Sequence, residues 1–302
     1  MPTGAPMKLL DPQVLRSISS IELKARLLVE GLYSSRHRCR YYGYSVEFKD
    51  YREYAAGDEP RIIDWKALAR TERYYVRRFE MESNMNVVCL LDASGSMSYR
   101  PQDPRRLTKM EYACCLVASL SYLASKQQDS PGLVTFTTEI KEFLPPHQGN
   151  RHLYALLARL EALRPQGETD LEDVLKKVAL RLRRRGIFIL VSDCHGDPAR
   201  VCDGLRHLAA RGHEVIVLHL LDHDEVAFPF QALTSFRDLE TGVEIMCDPL
   251  RQRREYAGRL GAFRDAIRDG TVACGADYWF IDTAQPIEFV LRDYLLYRRQ
   301  RG

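Results

Sequence analysis

The sequence predicts an α/β protein built on an open, mostly parallel, doubly wound sheet, preceded by an N-terminal extension of helix and strand. From about Asn86 onward, apolar runs of strand length alternate with segments whose apolar residues recur every three or four positions. This alternation indicates parallel strands joined by right-handed crossover helices. The first 85 residues lack it, so we predict an extension over 1–85 and an α/β domain over 86–302.

The extension is expected to begin with a helix and to end with an edge strand. Ser19 and Glu22 have the spacing of a capping box, which predicts a helix from there to about Leu32. A basic and aromatic stretch follows over 36–44, and Tyr74–Phe79 is typical of an edge strand. We expect the extension to pack on the α/β domain, because its apolar residues need burial; these are Ile62, Ile63, Trp65 and Phe79.

The α/β domain is predicted to contain buried strands that alternate with amphipathic helices. Strands are expected at 87–91, 132–136, 187–191, 215–221 and 278–281, with 140–144 returning beside the second as a hairpin. Helices are expected after the capping box formed by Thr108 and Glu111, and over 153–163, 171–182, 198–210, 249–269 and 287–297. Residues 222–248 are less regular, with short strand candidates around Phe236 and at 243–246, and are interpreted as an insertion.

The composition is that of an ordinary soluble globular protein. Apolar residues make up 45% of the 302 residues and charged residues 28%, and the net charge of +3 gives no strong reason to expect nucleic acid or a membrane as partner. None of the eight cysteines forms a Cys-x-x-Cys pair, which argues against a zinc or redox motif. Free core thiols fit a reducing compartment, and residues 1–11 lack the layout of a signal peptide, so the predicted location is the cytoplasm.

The most informative segment is Asp92-Ala93-Ser94-Gly95-Ser96, which directly follows the apolar strand 87–91. In a tight loop, alternate residues can point the same way, so one carboxylate and two hydroxyl groups converge. Gly95 is expected to let the backbone turn sharply between the serines. Hard oxygen ligands are those that Mg²⁺ prefers, so the segment predicts a divalent-cation site.

Two further segments reach the same edge of the predicted sheet. Asp193 lies just past the strand 187–191, and Thr169 precedes a helix whose N-terminus faces that edge. Each has a simpler interpretation: Thr169 with Glu172 has capping-box spacing, Asp193 suits a turn, and a loop of serines can bond to itself. The occurrence of all three in this order favours the metal site.

These residues give the chain its resemblance to known proteins. From about Asn86 onward it resembles a von Willebrand factor A (vWA) domain, whose metal-ion-dependent adhesion site carries Asp-x-Ser-x-Ser, a Thr and a second Asp. These map, with none missing, onto Asp92, Ser94, Ser96, Thr169 and Asp193. Upstream segments resemble a bacterial family of A-domain proteins of unknown function associated with MoxR-type AAA+ ATPases; they are Gly57-Asp58, 61–65 with Asp64-Trp65, Ala69-Arg70 and Glu80.

The resemblance implies a non-enzymatic, metal-dependent adaptor protein. In such sites the serines, and sometimes the threonine, bind the metal directly, and the aspartates act mostly through water. Neutral hydroxyls leave the charge of Mg²⁺ (or Mn²⁺) poorly balanced, so an acidic side chain of a partner completes the coordination. The expected partner is a MoxR-type AAA+ ATPase, in a chaperone-like or complex-assembly role. Trp65 then either anchors the extension or contacts the ATPase.

The main alternative is an Mg²⁺-dependent enzyme for phosphoryl transfer or hydrolysis. A haloacid-dehalogenase-like nucleophile would need Asp at position 94, where this chain has Ser. The sequence has no phosphate-binding Gly-x-x-x-x-Gly-Lys loop, and Ser94 lacks the Gly-x-Ser-x-Gly context of a hydrolase nucleophile. His195 could complete a Ser-His-Asp arrangement, although a solvated loop residue is the simpler interpretation.

Nucleic-acid binding is a third possibility. Basic runs at 36–40 and 181–185 are the features that suggest it. The second run falls at the C-terminus of a predicted helix, where cations complement the dipole. Because acidic residues nearly balance the charge of the chain, we interpret both runs as solvated faces or protein contacts.

Overall fold

The computed structural model describes residues 12–34, 51–53, 68, 74–77, 85–182 and 184–301. The contacts divide the chain into two units, one of residues 1–39 with 85–302 and the other of residues 40–84. Several features predicted from the sequence lie outside the described residues; these are the stretch 36–44, Gly57-Asp58, the segment with Asp64-Trp65, Phe79 and Glu80.

Strands and helices occur close to where the patterns predict them. The strands are β1 (Tyr51–Glu53), β2 (Tyr75–Arg77), β3 (Asn86–Asp92), β4 (Ser130–Phe136), β5 (Ile140–Leu144), β6 (Gly186–Ser192), β7 (Glu214–Leu221), β8 (Thr234–Arg237), β9 (Glu244–Cys247) and β10 (Asp277–Asp282). The helices are α1 (Pro12–Ser17), α2 (Ile21–Ser34), α3 (Lys109–Lys126), α4 (Asn150–Ala162), α5 (Leu171–Arg181), α6 (Pro198–Ala209), α7 (His223–Ala227), α8 (Pro249–Ala273) and α9 (Ile287–Arg301).

The larger unit is built on a six-stranded sheet in the order β10-β7-β6-β3-β4-β5. All neighbouring strands pair in parallel except β4 and β5, which form the predicted antiparallel hairpin. The prediction of an open, mostly parallel α/β sheet is therefore confirmed. In the smaller unit, β1 and β2 pair antiparallel, so the strand expected after Tyr74 is present.

Helices cover the sheet on both faces, as a doubly wound fold requires. Along β3, Val87, Cys89 and Leu91 face one apolar layer, and Val88 and Leu90 face the other. Helices α2, α3, α4 and α9 contribute to the first layer, and α5, α6 and α8 to the second. Strands buried on both faces read as unbroken apolar runs, which is why the sequence revealed them.

The predicted extension does not form one body. Helix α2 belongs to the larger unit, since its residues Ala25, Leu28 and Leu32 are buried in the first apolar layer with α3. Its cap also differs from the prediction: the Ser20 hydroxyl, not Ser19, accepts a hydrogen bond from the backbone N–H of Leu23 at 3.3 Å. The amphipathic stripe, rather than the sequence position, decides where this helix packs.

The predicted capping box at the start of α3 is confirmed, whereas two other helices end later than predicted. The capping box of Thr108 and Glu111 is present at the start of α3, with both reciprocal hydrogen bonds. Helix α8 continues to Ala273 and α9 to Arg301, beyond the ends predicted at 269 and 297.

In the part of the chain that the structure describes, no helix combines the length and apolar character needed to cross a membrane.

Candidate functional site

The site lies at the carboxyl ends of β3 and β6, the central pair of strands in the sheet. The parallel register places Leu91 beside Val191, so Asp92 and Ser192 end the two strands at the same level. Both residues are fully buried. The Ser192 hydroxyl donates to Asp92 Oδ2 at 2.6 Å, and the backbone N–H of Ser94 donates to Asp92 Oδ1 at 2.9 Å. Two hydrogen bonds thus fix the Asp92 carboxylate.

The two serines of the motif lie side by side. The Oγ atoms of Ser94 and Ser96 are 3.0 Å apart, with Ser94 buried and Ser96 partly exposed at the start of a short 3₁₀ helix, Gly95–Ser98. The side chains of Ser94 and Ser96 also hydrogen-bond to Asp92 and Asp193 respectively. The structure therefore brings two hydroxyl groups and two carboxylates together.

Gly95 has a different role from the one expected. Its φ angle is not among the positive values of this chain, so the position does not need the conformational freedom of glycine. A Cβ atom at Gly95 would instead overlap the carbonyl oxygen of Leu239 and lie 3.2 Å from the carbonyl oxygen of Gly167. Gly95 is required because two other loops approach its backbone closely.

Thr169 is not a helix cap, contrary to the simpler interpretation of its sequence. Helix α5 begins at Leu171, and its N-cap is Asp170, whose carboxylate accepts the N–H of Asp173 at 3.2 Å. The Thr169 Oγ1 atom is buried and, among the described residues, has no hydrogen-bond partner. A buried hydroxyl without a partner is costly, so this oxygen is available to bind a ligand.

The loop that carries Thr169 is attached directly to the motif loop. The backbone N–H of Gly95 donates to Gly167 O at 2.7 Å, and that of Gln166 donates to Ala93 O at 2.9 Å. These bonds keep the Thr169 segment beside Ser94 and Ser96. The three segments predicted to meet at this edge of the sheet therefore do so.

Asp193 is paired with a residue that sequence reasoning missed. Its Oδ2 atom accepts a hydrogen bond from Lys109 Nζ at 2.9 Å, and its Oδ1 atom accepts the backbone N–H of His195 at 3.2 Å. The Lys109 side chain has no exposed surface and also contacts Glu225 at 3.0 Å. Lys109 is the first residue of α3, and a lysine at the start of a helix is normally interpreted as a solvated surface residue. Only its buried surroundings in the structure reveal that it pairs with Asp193.

The two carboxylates of the site differ in their electrostatics. Burial, reinforced by the charge of Asp193, raises the pKa of Asp92 well above its ordinary value. Burial alone would do the same for Asp193, but the Lys109 ammonium and a Ser96 hydrogen bond outweigh it, and the pKa of Asp193 lies below its ordinary value. Asp92 is thus a carboxylate whose charge is poorly compensated, and a bound cation would favour its ionised form.

The donor atoms fit a hard divalent cation. They are exclusively oxygens, from Asp92, Asp193, Ser94, Ser96 and the unpartnered Thr169, which is the chemistry that Mg²⁺ and Mn²⁺ accept. Among the described residues, no group of three or more His, Cys, Asp or Glu side chains forms a metal site. Any cation bound here would therefore depend on the hydroxyl groups.

His195 does not form the Ser-His-Asp arrangement considered from the sequence. Its side chain is exposed, and it is the backbone N–H that contacts Asp193. Within the described residues, the hydroxyl of Ser94 pairs with Ser96 and not with an imidazole. The absence of enzymatic activity stays a prediction.

The basic run at 181–185 is described except for Arg183. Arg181 is the last residue of α5, where it complements the helix dipole, and its guanidinium lies 5.7 Å from the centre of the Phe143 ring. This contact lies within the chain, so the interpretation of the run as a solvated face or a protein contact stays a prediction.

Comparisons with known proteins give the chain a family. Among curated proteins, the uncharacterised protein Rv1480 of Mycobacterium tuberculosis is 27% identical over 272 residues, which cover 88% of this chain and 84% of that protein. The uncharacterised protein MAV169 of Mycobacterium avium is 31% identical over 137 residues, covering 43% of this chain and 79% of that protein.

Two solved structures are similar to this chain over about 70% of its length. BatB, a conserved hypothetical protein from Bacteroides thetaiotaomicron, has a TM-score of 0.48 at 15% identity over 72% of this chain and 99% of its own. The VWA domain of SpRpn10 has a TM-score of 0.42 at 11% identity over 69% and 94%.

A family model matches most of the chain. It covers residues 50–264 and is described as "Protein of unknown function DUF58". The association with MoxR-type ATPases, which the sequence resemblance implies, is no part of this match and stays a prediction. Because the match spans the motif loop, the Thr169 loop and Asp193 together, we conclude that this chain belongs to the DUF58 family.

Proposed function

We propose that this protein is a non-enzymatic, metal-dependent adaptor that binds an acidic side chain of a partner protein through a divalent cation. Asp92, Ser94, Ser96, Thr169 and Asp193 would hold Mg²⁺ or Mn²⁺. The observation that carries the proposal is the buried Thr169 Oγ1 atom without a hydrogen-bond partner, next to a loop whose two serine hydroxyls are 3.0 Å apart. A cation would give all three hydroxyls a partner at once.

The charge balance of the site favours recognition of a carboxylate. Three of the five proposed ligands are neutral hydroxyls, and Lys109 already compensates the charge of Asp193. A divalent cation would therefore keep a large part of its positive charge. In a partly buried site such a charge attracts an anionic oxygen strongly, because the effective dielectric constant is well below that of water. An Asp or Glu of a partner supplies that oxygen.

The surface beside the site supports a protein as the partner. The β8–β9 hairpin, whose connecting turn lies against Gly95, exposes 58% of Val243, 64% of Ile245 and 69% of Met246. Ile245 and Met246 are neighbours in a strand and point to opposite faces, so both faces of the hairpin carry exposed apolar side chains. Exposed apolar side chains of this size are typical of protein-binding surfaces, in which Met is enriched. The proposed cation would bind a carboxylate of the partner, and the exposed apolar side chains of the hairpin would contact the surface around it.

The proposed partner is a MoxR-type AAA+ ATPase in the cytoplasm, with the adaptor in a chaperone-like or complex-assembly role. The motive is the resemblance carried by Gly57-Asp58, Asp64-Trp65 and Glu80, which lie outside the described residues. The proposal requires one chemical feature of the partner, which is an exposed Asp or Glu at the centre of its contact surface.

Metal binding is tested by calorimetric titration of the protein with Mg²⁺ and Mn²⁺. We expect one weak site in the wild type, none in Asp92→Ala, and at least tenfold weaker binding in Ser94→Ala and Ser96→Ala. Ser119→Ala is the matched control, because Ser119 is equally buried and bonds to Cys115 O at 2.7 Å in α3. Equal metal binding by wild type and a folded Asp92→Ala protein would refute the site.

Partner binding is tested by biolayer interferometry with a purified MoxR-type ATPase, with Mg²⁺ or with EDTA. We expect EDTA and Ser94→Ala to weaken binding to the same extent, and Ser119→Ala to leave it unchanged. If EDTA has no effect while the proteins remain folded, the cation does not bridge the two proteins. A screen for phosphatase and esterase activity with Mg²⁺ present tests the enzyme alternative directly.

A further inference from the structure

The turn between β8 and β9 lies on the candidate metal site. A Cβ atom at Gly95 would overlap the carbonyl oxygen of Leu239, so the tip of this hairpin touches the backbone between the two serines. Residues 222–248 were expected to be an irregular insertion; they place this turn, Asp238–Gly242, directly over the motif loop. No pattern in the sequence indicates this contact.

We infer that Glu240, in this turn, becomes the chain's own carboxylate ligand when the motif residues hold a cation, so that the hairpin closes the site until an acidic residue of a partner displaces it. Among the described residues Glu240 does not group with Asp92 and Asp193 into a three-carboxylate site, so its side chain must turn toward the bound cation. The inference rests on the proposed function, because it assumes a cation held by the motif residues. It adds a ligand that neither the motif nor the family match assigns.

The turn directs Glu240 rather than Asp238 toward this role. The Asp238 carboxylate accepts hydrogen bonds from the Glu240 N–H at 2.8 Å, the Thr241 N–H at 3.3 Å and the Thr241 hydroxyl at 2.8 Å. These bonds hold the pKa of Asp238 below its ordinary value, and nearby His195 adds to the effect. The acceptors of Asp238 are therefore already occupied within the turn.

Glu240 has the opposite character. Its Oε1 atom is buried although the residue is only partly buried, and it has no hydrogen-bond partner among the described residues. A buried carboxylate oxygen is normally paired, because its desolvation is otherwise uncompensated. Thr169 Oγ1 is a second such oxygen, two residues beyond Gly167, whose carbonyl also approaches Gly95. One cation between the loops would satisfy both.

The rest of the hairpin is attached at its base by an aromatic cluster. Phe228 stacks on Tyr256 with ring centres 4.4 Å apart and on Phe236 at 5.6 Å, and Phe230 meets Phe236 edge-on at 4.9 Å. The Tyr256 hydroxyl donates to Glu225 O at 2.9 Å. These contacts attach the base of the hairpin without any residue of the 238–242 turn, so release of the turn would not break them.

An internal ligand makes the site selective for strong partners. Because Glu240 is tethered, its effective concentration at the cation is far above that of a free carboxylate. A partner's Asp or Glu must displace it, and its apparent affinity is reduced by the fraction of molecules in which the site is closed. The exposed apolar side chains of the same hairpin, Val243, Ile245 and Met246, offer the additional contact area for that displacement.

The test uses Mn²⁺ as probe and compares Glu240→Gln with Glu244→Gln, which changes the same charge on an exposed position of the same hairpin. We expect Glu240→Gln to bind Mn²⁺ at least fivefold more weakly in calorimetry. Water-proton relaxation should show one additional water on its bound Mn²⁺. The ATPase, with Mn²⁺ saturating, should bind Glu240→Gln more tightly than wild type, whereas Glu244→Gln should match wild type throughout.

A second variant displaces the turn without removing a ligand. Gly95→Ala places a methyl group where the Leu239 carbonyl lies, so its bound Mn²⁺ should also gain a water. Wild-type Mn²⁺ affinity and hydration in Glu240→Gln would overturn the inference while leaving the metal site itself intact. Failure of the wild type to bind Mn²⁺ at all would overturn both the proposed function and the inference, so the two failures are distinguishable.

Discussion

Lys109 couples the stability of the fold to the charge of the candidate metal site. Its ammonium group is fully buried, 2.9 Å from Asp193 and 3.0 Å from Glu225. Burial opposes its charge, but the two carboxylates prevail and raise the pKa of Lys109. Lys109→Met removes this charge and keeps much of the length of the side chain, so the substitution tests the electrostatics with little change in packing.

The expected loss of stability follows from the two ion pairs. Removing one partner of a buried ion pair costs about 3–5 kcal/mol, because the other charge stays buried without compensation. Asp193 should account for most of this, since the Lys109 ammonium is the largest of the interactions that hold its pKa below the ordinary value. Glu225 is 26% exposed at its side chain and its pKa is raised by burial despite Lys109, so it can take up a proton instead.

The same substitution should strengthen metal binding. The Lys109 ammonium lies against the Asp193 carboxylate, so it would repel a divalent cation held by the same carboxylate, and its removal would relieve that repulsion. Screening by solvent and uptake of a proton by Glu225 reduce this gain. Since about 1.4 kcal/mol corresponds to a tenfold change in affinity, we expect at least tenfold tighter binding of Mg²⁺ in the variant.

Urea unfolding with and without Mg²⁺, together with calorimetric titration, measures both effects. Lys109→Met should be less stable than wild type without metal and should recover part of the difference when Mg²⁺ is added. Lys126→Met is the control, because Lys126 is exposed near the end of the same helix. A folded Lys109→Met protein with wild-type metal affinity would refute the reasoning that Lys109 and the cation share Asp193.

The remaining predictions concern the cap of α5 and a buried histidine. Asp170→Ala should lower the free energy of unfolding by about 1 kcal/mol through loss of the N-cap, whereas Thr169→Val should leave it unchanged and weaken metal binding; the reverse pattern in urea unfolding would contradict the assignment of the cap. Burial lowers the pKa of His219 to about 4, so the unfolded chain binds this proton before the folded chain does as pH falls. His219 therefore contributes its full stability above about pH 6.5 and loses that contribution between about pH 6.5 and pH 4. At about 1.4 kcal/mol for each pKa unit this contribution is at most about 3.5 kcal/mol. The stability difference between wild type and His219→Gln should shrink as pH falls across that range, and a constant difference would refute the prediction.

Several parts of this protein were determined by the sequence alone. The buried strands appear as unbroken apolar runs because helices cover both faces of the sheet, and Asp92-x-Ser-x-Ser is recognisable because its ligands are local to one loop. The family match likewise follows from sequence. These features depend on burial and on neighbours within a few residues, which a linear pattern reports directly.

Only the tertiary structure decided the rest. The sequence spacing of Thr169 and Glu172 suits a cap, but Asp170, one residue later, takes that position and leaves the threonine hydroxyl without a partner. Lys109 reaches Asp193 across 84 positions of the chain, and the turn carrying Glu240 meets Gly95 from an insertion with no regular pattern. Local patterns specify which residues are buried and how each backbone segment folds, but the pairing of distant loops depends on how the crossover connections bring the strand ends together, which no short segment encodes.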